Sequence, residues 1–165
     1  MTPANAALYN WINRAFDFRG RATRSDYWWP RLLVIMVNVV LGTLFLEGGG
    51  EAWFTQLVEL SEAAEETGVV SFDDFDLPPL TSLGTFALTA SFVFVVFTFM
   101  PMLSLSWRRL QDMGKPGWIH ILFLVACTVI SPLMLWLEFI WLAFPGTRGP
   151  NRYGPDKLNA EADIF

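Results

Sequence analysis

One long stretch of this chain contains no charged side chain. Between Leu80 and Trp107 there is no Asp, Glu, Lys, Arg or His. About 20 consecutive apolar residues are enough for a helix to cross the hydrocarbon core of a bilayer. The stretch is longer and more apolar than an ordinary core helix of a soluble protein, and it therefore predicts a membrane-spanning helix over residues 81–107.

Two other stretches, at about 27–46 and 118–144, have the same apolar character. With 53% hydrophobic residues in a chain of 165, three such segments and their connections leave no room for a separate soluble domain of ordinary size. The sequence therefore predicts an all-α integral membrane protein, with residues 1–165 forming a single membrane domain.

Two shorter segments have the periodicity of amphipathic helices. In the first, at about 5–16, the apolar side chains recur at helical spacing: Leu8, Trp11, Ile12, Ala15 and Phe16. Such a helix lies either along the membrane surface or against the protein's own face, and the pattern does not distinguish the two. The second, at about 51–66, is acidic, so we expect it to pack on protein or face water rather than anionic lipid.

The charges beside the apolar segments predict the orientation of the chain. Acidic residues are concentrated in segment 47–79, which contains no Lys or Arg, whereas arginines lie before the first apolar segment and directly after the second. Because basic loops remain in the cytoplasm, we expect a cytoplasmic amino terminus and an extracytoplasmic segment 47–79. Residues 145–165 begin with several Gly and Pro and are expected to form a turn-rich tail.

The third apolar segment permits two arrangements. A continuous helix over 118–144 would be about 40 Å long and could cross a bilayer with tilt. Ser131 and Pro132 lie near its centre, and two half-helices meeting there would instead form a re-entrant hairpin. The length favours one kinked crossing, whereas the basic residues of the tail favour a return to the cytoplasm. We expect the single crossing.

Glu138 is a candidate intramembrane ionisable residue, because a carboxyl group inside an apolar run is costly and usually faces protein or water. His120 lies near the opposite end of the same run. In one continuous helix the two residues would be about 27 Å apart. The sequence therefore does not predict that they pair.

Recognisable catalytic sets are missing from the sequence. It has one His and one Cys, Cys127, and it contains no phosphate-binding glycine loop, zinc-protease motif or serine nucleophile motif. The acidic run at Asp73, Asp74 and Asp76 does not have EF-hand spacing. We therefore expect a protein that is not an enzyme, with no catalytic residues, no metal site and no cofactor. Nucleic-acid binding is not expected either, because no basic soluble module is present.

Six residues near the predicted cytoplasmic ends of the helices are candidates for a binding site: Arg19, Arg21, Arg24, Arg108, Arg109 and Asp112. Arginine suits phosphate groups, because its planar guanidinium donates two parallel hydrogen bonds. One hypothesis is that these residues converge on the headgroup of an anionic lipid or on the acidic surface of a partner. The alternative is that the arginines only fix the topology.

Three segments together resemble a family of small bacterial inner-membrane proteins of unknown function. The family pattern F-x-G-R-x-x-R-x-x-[FY]-W is matched at 18–28, R-R-L-H-D-x-G-x-S-G-W at 108–118, and P-G-x-x-G-x-N-x-[FY]-G-x-[DP] at 145–156. Gln111 stands where the family often has His, Pro116 where it often has Ser, and Lys157 where Pro is usual. Ten matching residues are expected to have structural roles: Phe18, Gly20, Trp28, Gly114, Trp118, Pro145, Gly146, Asn151, Tyr153 and Gly154.

The resemblance implies a multi-pass protein of the bacterial inner membrane and supplies no activity. Small size, missing catalytic sets and many aromatic side chains favour a non-enzymatic accessory or scaffold subunit of a membrane assembly. Its expected partners are membrane lipids and other inner-membrane proteins or further copies of itself. The alternative is a small transporter or channel-like protein that uses Glu138 or the arginines.

Overall fold

The computed structural model describes residues 2–67, 78–131 and 133–158. In that part of the chain there are six α-helices and no extended strand: α1 (Pro3–Asn13), α2 (Arg24–Phe45), α3 (Glu51–Thr67), α4 (Ser82–Asp112), α5 (Ile119–Val129) and α6 (Leu133–Leu142). A π-helical turn, Leu46–Gly50, links α2 to α3. Most of the acidic loop with its three aspartates, and the tail beyond Leu158, lie outside the described residues.

Helix α2 starts at a capping box. The backbone N–H of Asp26 donates to Thr23 Oγ1 at 3.2 Å, and the backbone N–H of Thr23 donates to Asp26 Oδ2 at 3.1 Å. These two bonds satisfy donors that the first turn of a helix would otherwise leave free. The helix therefore begins a few residues before its apolar run, at Arg24.

The two long apolar helices are mostly uncovered by the rest of the protein. Their most apolar 18-residue windows have mean hydropathies of 2.0 and 2.1, and only 6% and 22% of those windows are buried. The core helix of a soluble protein would be mostly buried. The length, composition and exposure of these helices therefore confirm an all-α membrane protein.

The contacts divide the chain into two compact units, Met1–Val34 with Phe97–Phe165 and Ile35–Val96. In the second unit, α2 ends at a kink where Gly49 has φ +101°, a conformation that favours glycine. The carbonyl oxygen of Gly48 accepts hydrogen bonds at 3.0 Å from both the N–H and the hydroxyl group of Thr81. Helix α3 then begins close to the predicted position.

The first unit contains α1, the start of α2, the end of α4, and the helices α5 and α6. Helix α1 packs on the protein's own face through Ala7 and Trp11, which are buried. Tyr9 and Ile12 lie on its exposed side. The helix ends at Asn13, a turn earlier than its apolar pattern predicts.

The prediction of a single kinked crossing for the third apolar segment is wrong. Helices α5 and α6 have 11 and 10 residues, or about 16 Å and 15 Å, which is half the thickness of a hydrocarbon core. They fold back on each other, since the rings of Phe123 in α5 and Trp141 in α6 are 5.7 Å apart. Proline lacks an N–H and disfavours a helical residue before it, so the chain reverses near Ser131.

The hairpin returns the chain to the end of α4. The N–H of Thr147 donates to the carbonyl oxygen of Asp112 at 2.9 Å. The segment that follows α6 therefore lies beside the segment that precedes α5.

Candidate functional site

The three motif segments meet in the first unit. The N–H of Ala22 donates to the carbonyl oxygen of Arg108 at 3.1 Å, which joins the first segment to the second. The hydroxyl group and the N–H of Thr147 both donate to the carbonyl oxygen of Asp112, which joins the third segment to the second. Residues from 18–28, 108–118 and 145–156 thus form one layer at the ends of α2, α4 and α6.

Asp112 holds two arginines in the centre of this layer, and we call these three residues the arginine clamp. Arg21 Nε donates to Asp112 Oδ1 at 2.8 Å, and Arg109 Nη1 donates to Asp112 Oδ2 at 2.5 Å. The side chains are almost fully buried, with 2%, 0% and 9% of their surfaces exposed for Arg21, Arg109 and Asp112. Hydrogen bonds between charged groups are stronger than those between neutral groups, and burial away from water strengthens them further.

The remaining donors of the clamp go to backbone carbonyl groups, which lie in the third segment, at the end of α6 and at Ala22. Arg21 donates to the carbonyl oxygens of Gly149 at 2.7 Å and Thr147 at 2.5 Å. Arg109 donates to those of Leu142 at 3.0 Å and Phe144. The last carbonyls of a helix have no partner within it and carry partial negative charge, so Arg109 neutralises the carboxyl end of α6.

Gly146 allows the third segment to approach the clamp. A Cβ atom at this position would lie 2.0 Å from Asp112 Oδ2, which no side chain can tolerate without displacing the carboxylate. The glycine of the P-G motif is therefore required by the close approach of two segments. Asp112 is the point of that approach.

A cleft of about 220 Å³ opens beside the clamp, and we call it the arginine cleft. Its lining residues come from all three motif segments: Arg21, Thr23, Arg24, Arg109, Asp112, Pro145, Gly146, Thr147, Arg148, Asp156 and Leu158. The side chains of Arg24 and Arg148 are exposed. Four arginines face two aspartates in this lining, which leaves an excess of two positive charges.

The structure brings four of the six predicted site residues to the cleft and places Arg19 and Arg108 elsewhere. Arg108 is buried, and its Nε donates to the carbonyl oxygen of Ser104 at 3.4 Å. Among the described residues its Nη2 has no hydrogen-bond partner. Arg19 is exposed outside the cleft lining. Adjacent arginines on a helix point in different directions, since successive side chains are about 100° apart.

A second ion pair fixes the turn after α1. Arg14 Nε and Nη2 donate to Asp17 Oδ2 at 2.9 and 2.6 Å, and the N–H of Arg19 donates to Asp17 Oδ1 at 2.9 Å. The bond from the Arg19 N–H, and then those from Arg14, hold the pKa of the Asp17 carboxyl below its ordinary value of 3.8. Each of these bonds stabilises the ionised form.

The aromatic residues of the motifs pack the layer against the helices. Phe18 stacks edge-on against Trp107 at 5.5 Å, and Trp28 against Phe139 at 4.6 Å. Such edge-to-face pairs add about 0.5–1.5 kcal/mol to the burial of their surfaces. Trp118, by contrast, has an exposed side chain.

The polar motif residues fold the third segment. Asn151 Nδ2 donates to the carbonyl oxygen of Gln111 at 3.0 Å, and its Oδ1 accepts from the N–H of Tyr153 at 2.8 Å. Asn151 and Gly154 also exchange two backbone hydrogen bonds. Gly20 and Gly114 have φ values of +88° and +72° in the turns that lead into and out of the site.

Two functional contacts of the site could not be found from the sequence. The carbonyl oxygens of Thr147 and Gly149 carry no side-chain signal, although both accept from Arg21. Arg148 was visible only as one more basic residue of the tail. Its place in the cleft depends on the reversal of the chain between α5 and α6.

Glu138 and His120, which we did not expect to pair, are in contact. His120 Nδ1 and Glu138 Oε1 lie within hydrogen-bond distance, and both side chains are buried. In one continuous helix over 118–144 the two side chains would be too far apart to meet. The hairpin instead places the first turn of α5 beside the last turns of α6.

In the part of the chain that the structure describes, no group of three or more His, Cys, Asp or Glu side chains is placed to hold a metal ion. The site is an arginine-rich cleft, and the ion pairs of the clamp lie in its wall. Arginine side chains are able to donate paired hydrogen bonds to anionic groups.

Comparisons with known proteins agree with the membrane assignment. The family model described as "Protein of unknown function (DUF805)" matches residues 15–155. The inner membrane protein YhaH of Escherichia coli K12 is 28% identical over 145 residues, covering 84% of this chain and 85% of the relative. The inner membrane protein YhaI of the same strain is 28% identical over 140 residues, covering 84% of each. No solved structure matches.

Proposed function

This chain belongs to the DUF805 family of proteins of unknown function, and we propose that it is a non-enzymatic accessory or scaffold protein of the bacterial inner membrane that binds anionic lipid headgroups in its arginine cleft. The observation that carries this proposal is the excess of two positive charges in the cleft lining. An anionic phosphate group is the ligand class that such an excess favours.

The arginines of the cleft divide into two kinds. Arg21 and Arg109 are occupied by Asp112 and by backbone carbonyl groups. Arg24 and Arg148 are exposed, and among the described residues neither is within ion-pair distance of a carboxylate. Arg24 and Arg148 are therefore the pair that we assign to the ligand, while the clamp fixes the cleft behind them.

The position of the cleft favours a lipid as the source of the phosphate. Helix α2 begins at Arg24 and helix α4 ends at Asp112, so the cleft lies where both apolar helices end. Lipid headgroups are found at this level in a bilayer. The proposed cytoplasmic orientation follows from the same arginines, because basic segments remain inside.

Native mass spectrometry of the protein released from membranes with phosphatidylglycerol or cardiolipin tests this assignment. The variant Arg24→Gln/Arg148→Gln should retain less lipid than the wild type by a factor of about ten or more. The reason is that hydrogen bonds to charged groups contribute about 1.5–3 kcal/mol each. The matched control is Arg19→Gln/Arg152→Gln, which removes the same charge from two exposed arginines outside the cleft lining. Equal lipid loss in both variants would leave only a general charge effect and refute the site.

The accessory role rests on the apolar surface of the long helices. Phe92 and Phe97 of α4 are 70% and 69% exposed, and such side chains pack against either lipid or a partner's helices. Gentle extraction followed by native mass measurement should therefore yield an assembly of defined composition. A strictly monomeric species of 18.7 kDa in several mild detergents would contradict the accessory role and leave the lipid assignment standing.

A further inference from the structure

Beneath the arginine clamp lies a second polar layer. It contains five side chains from four helices: Tyr27 and Arg31 of α2, Ser106 of α4, His120 of α5 and Glu138 of α6. Tyr27, Ser106, His120 and Glu138 are all buried, with 6% or less of their surfaces exposed. Polar side chains in such a place are expensive unless they are satisfied.

The contacts connect these five side chains. His120 Nδ1 contacts Glu138 Oε1, and Tyr27 interacts electrostatically with Glu138 and Arg31 and lies next to Ser106. The guanidinium carbon of Arg31 lies 5.4 Å from the ring centre of Tyr27 and 5.3 Å from that of Phe139. The layer is therefore one cluster.

Several polar atoms of the cluster are left over. Within the described part of the chain, Glu138 Oε2 has no hydrogen-bond partner, and the Tyr27 hydroxyl, which lies beside the Ser106 hydroxyl and Arg31, makes no hydrogen bond of good geometry to either. Buried atoms in this state cost about 1–3 kcal/mol each. A purely structural hydrogen bond between His120 and Glu138 would not require two hydroxyl groups to be buried beside it.

We propose that His120 and Glu138 form a proton-binding site within the membrane part of the protein. One proton is taken from water and held between the imidazole ring and the carboxyl group, and no other bond is made or broken. Histidine is the side chain that most often takes up or releases a proton near neutral pH, and two ionisable groups in contact bind protons as a pair. The Tyr27 and Ser106 hydroxyl groups line the site on the side of α2 and α4.

The charged groups around His120 and Glu138 are compatible with reversible protonation of the pair. The Arg31 guanidinium of α2 lies over the ring of Phe139, which is next to Glu138 in the chain. From α4 the facing groups are the neutral Ser106 and Arg109, which pairs with Asp112. Ser106 lies six residues before Asp112, about 9 Å along the helix, so the site is shallow enough to exchange with water on the cleft side.

The proposal has an unusually direct test, because His120 is the single histidine of the chain. Protein that carries a histidine-free tag and ¹⁵N-labelled histidine would be placed in lipid nanodiscs, and the ring nitrogen signals followed by NMR. We expect one transition in the ring signals between about pH 5 and about pH 8. A ring that keeps one protonation state over that whole range would overturn the proposal and leave a structural hydrogen bond.

A variant separates the pair from a lone histidine. Glu138→Gln keeps the size and the hydrogen-bonding ability of the side chain but removes its charge. At the same pH a smaller fraction of the His120 ring should then be protonated, because the carboxylate no longer stabilises the imidazolium form. Glu62→Gln, at an exposed position of α3, is the control and should titrate like the wild type. If Glu138→Gln also titrates like the wild type, the proton does not belong to the pair. Wild-type titration decides the proposal if this variant does not fold.

Discussion

At the residue scale, Asp112 is the side chain that pairs with both arginines of the clamp. It is the only carboxylate within ion-pair distance of Arg109 in the described part of the chain, and it bonds Arg21 as well. The spacing of three residues between Arg109 and Asp112 permits their pairing wherever this segment is helical. The sequence could not predict Arg21, which is 91 positions away, because no local pattern encodes that approach.

Asp112→Asn should destabilise the protein by about 3–5 kcal/mol, the cost of leaving buried charges without their partner. Reversible unfolding in mixed micelles would measure this loss. Asp17→Asn is the matched control, since its partner Arg14 is on a partly exposed turn, and exposed pairs contribute about 0–1 kcal/mol. A loss for Asp112→Asn no larger than that of the control would show that the clamp is not a stabilising element.

The lowered pKa of Asp17 predicts a pH dependence with a definite sign. Hydrogen bonds from the Arg19 N–H and from Arg14 favour the ionised carboxyl in the folded state. The stabilisation is therefore fully present above the ordinary pKa of about 3.8 and is lost as the pH falls through the lower folded value. Melting temperatures of wild type and Asp17→Asn should differ at neutral pH and converge in acid. A constant difference at both pH values would contradict this assignment.

At the element scale, the hairpin of α5 and α6 is the arrangement that the sequence favours less than a single crossing. Hydrophobic length is the strongest signal for a crossing, and the largely apolar segment of 27 residues at 118–144 satisfies it. The deciding information lay in Ser131 and Pro132, together with acceptors after α6 that could receive Arg109. The helices α2, α3 and α4, whose signals are local, were predicted to within a few residues.

Two tryptophans of α6 distinguish the inner and outer faces of the hairpin. Trp141 packs against the buried core and contacts Phe123, whereas Trp136 is 66% exposed. Trp141→Ala should cost about 3–5 kcal/mol, the range for removing a large core aromatic. Trp136→Ala should cost much less, because lipid replaces the lost contacts. Equal costs in a micelle unfolding experiment would argue against this packing of the hairpin.

At the scale of the whole molecule, hydrogen bonds from Arg21 to Thr147 and Gly149 join the amino-terminal and carboxyl-terminal motif segments, and we expect both segments on one side of the membrane. A reporter that is active only in the cytoplasm should therefore give the same result when fused before α1 and after residue 165. From the distribution of arginines we expect both fusions to be active. Activity at one end alone would contradict the hairpin.

The clamp also has a consequence for the order in which the protein is made. Arg21 and Arg109 are translated well before the carbonyl groups of Leu142, Thr147 and Gly149 that receive them. Arg109 lacks two of its acceptors until residue 144 has been made, and Arg21 lacks two of its acceptors until residue 149 has been made. A chain that stops earlier would leave buried guanidinium groups without these acceptors, so we expect the layer to assemble only late in synthesis.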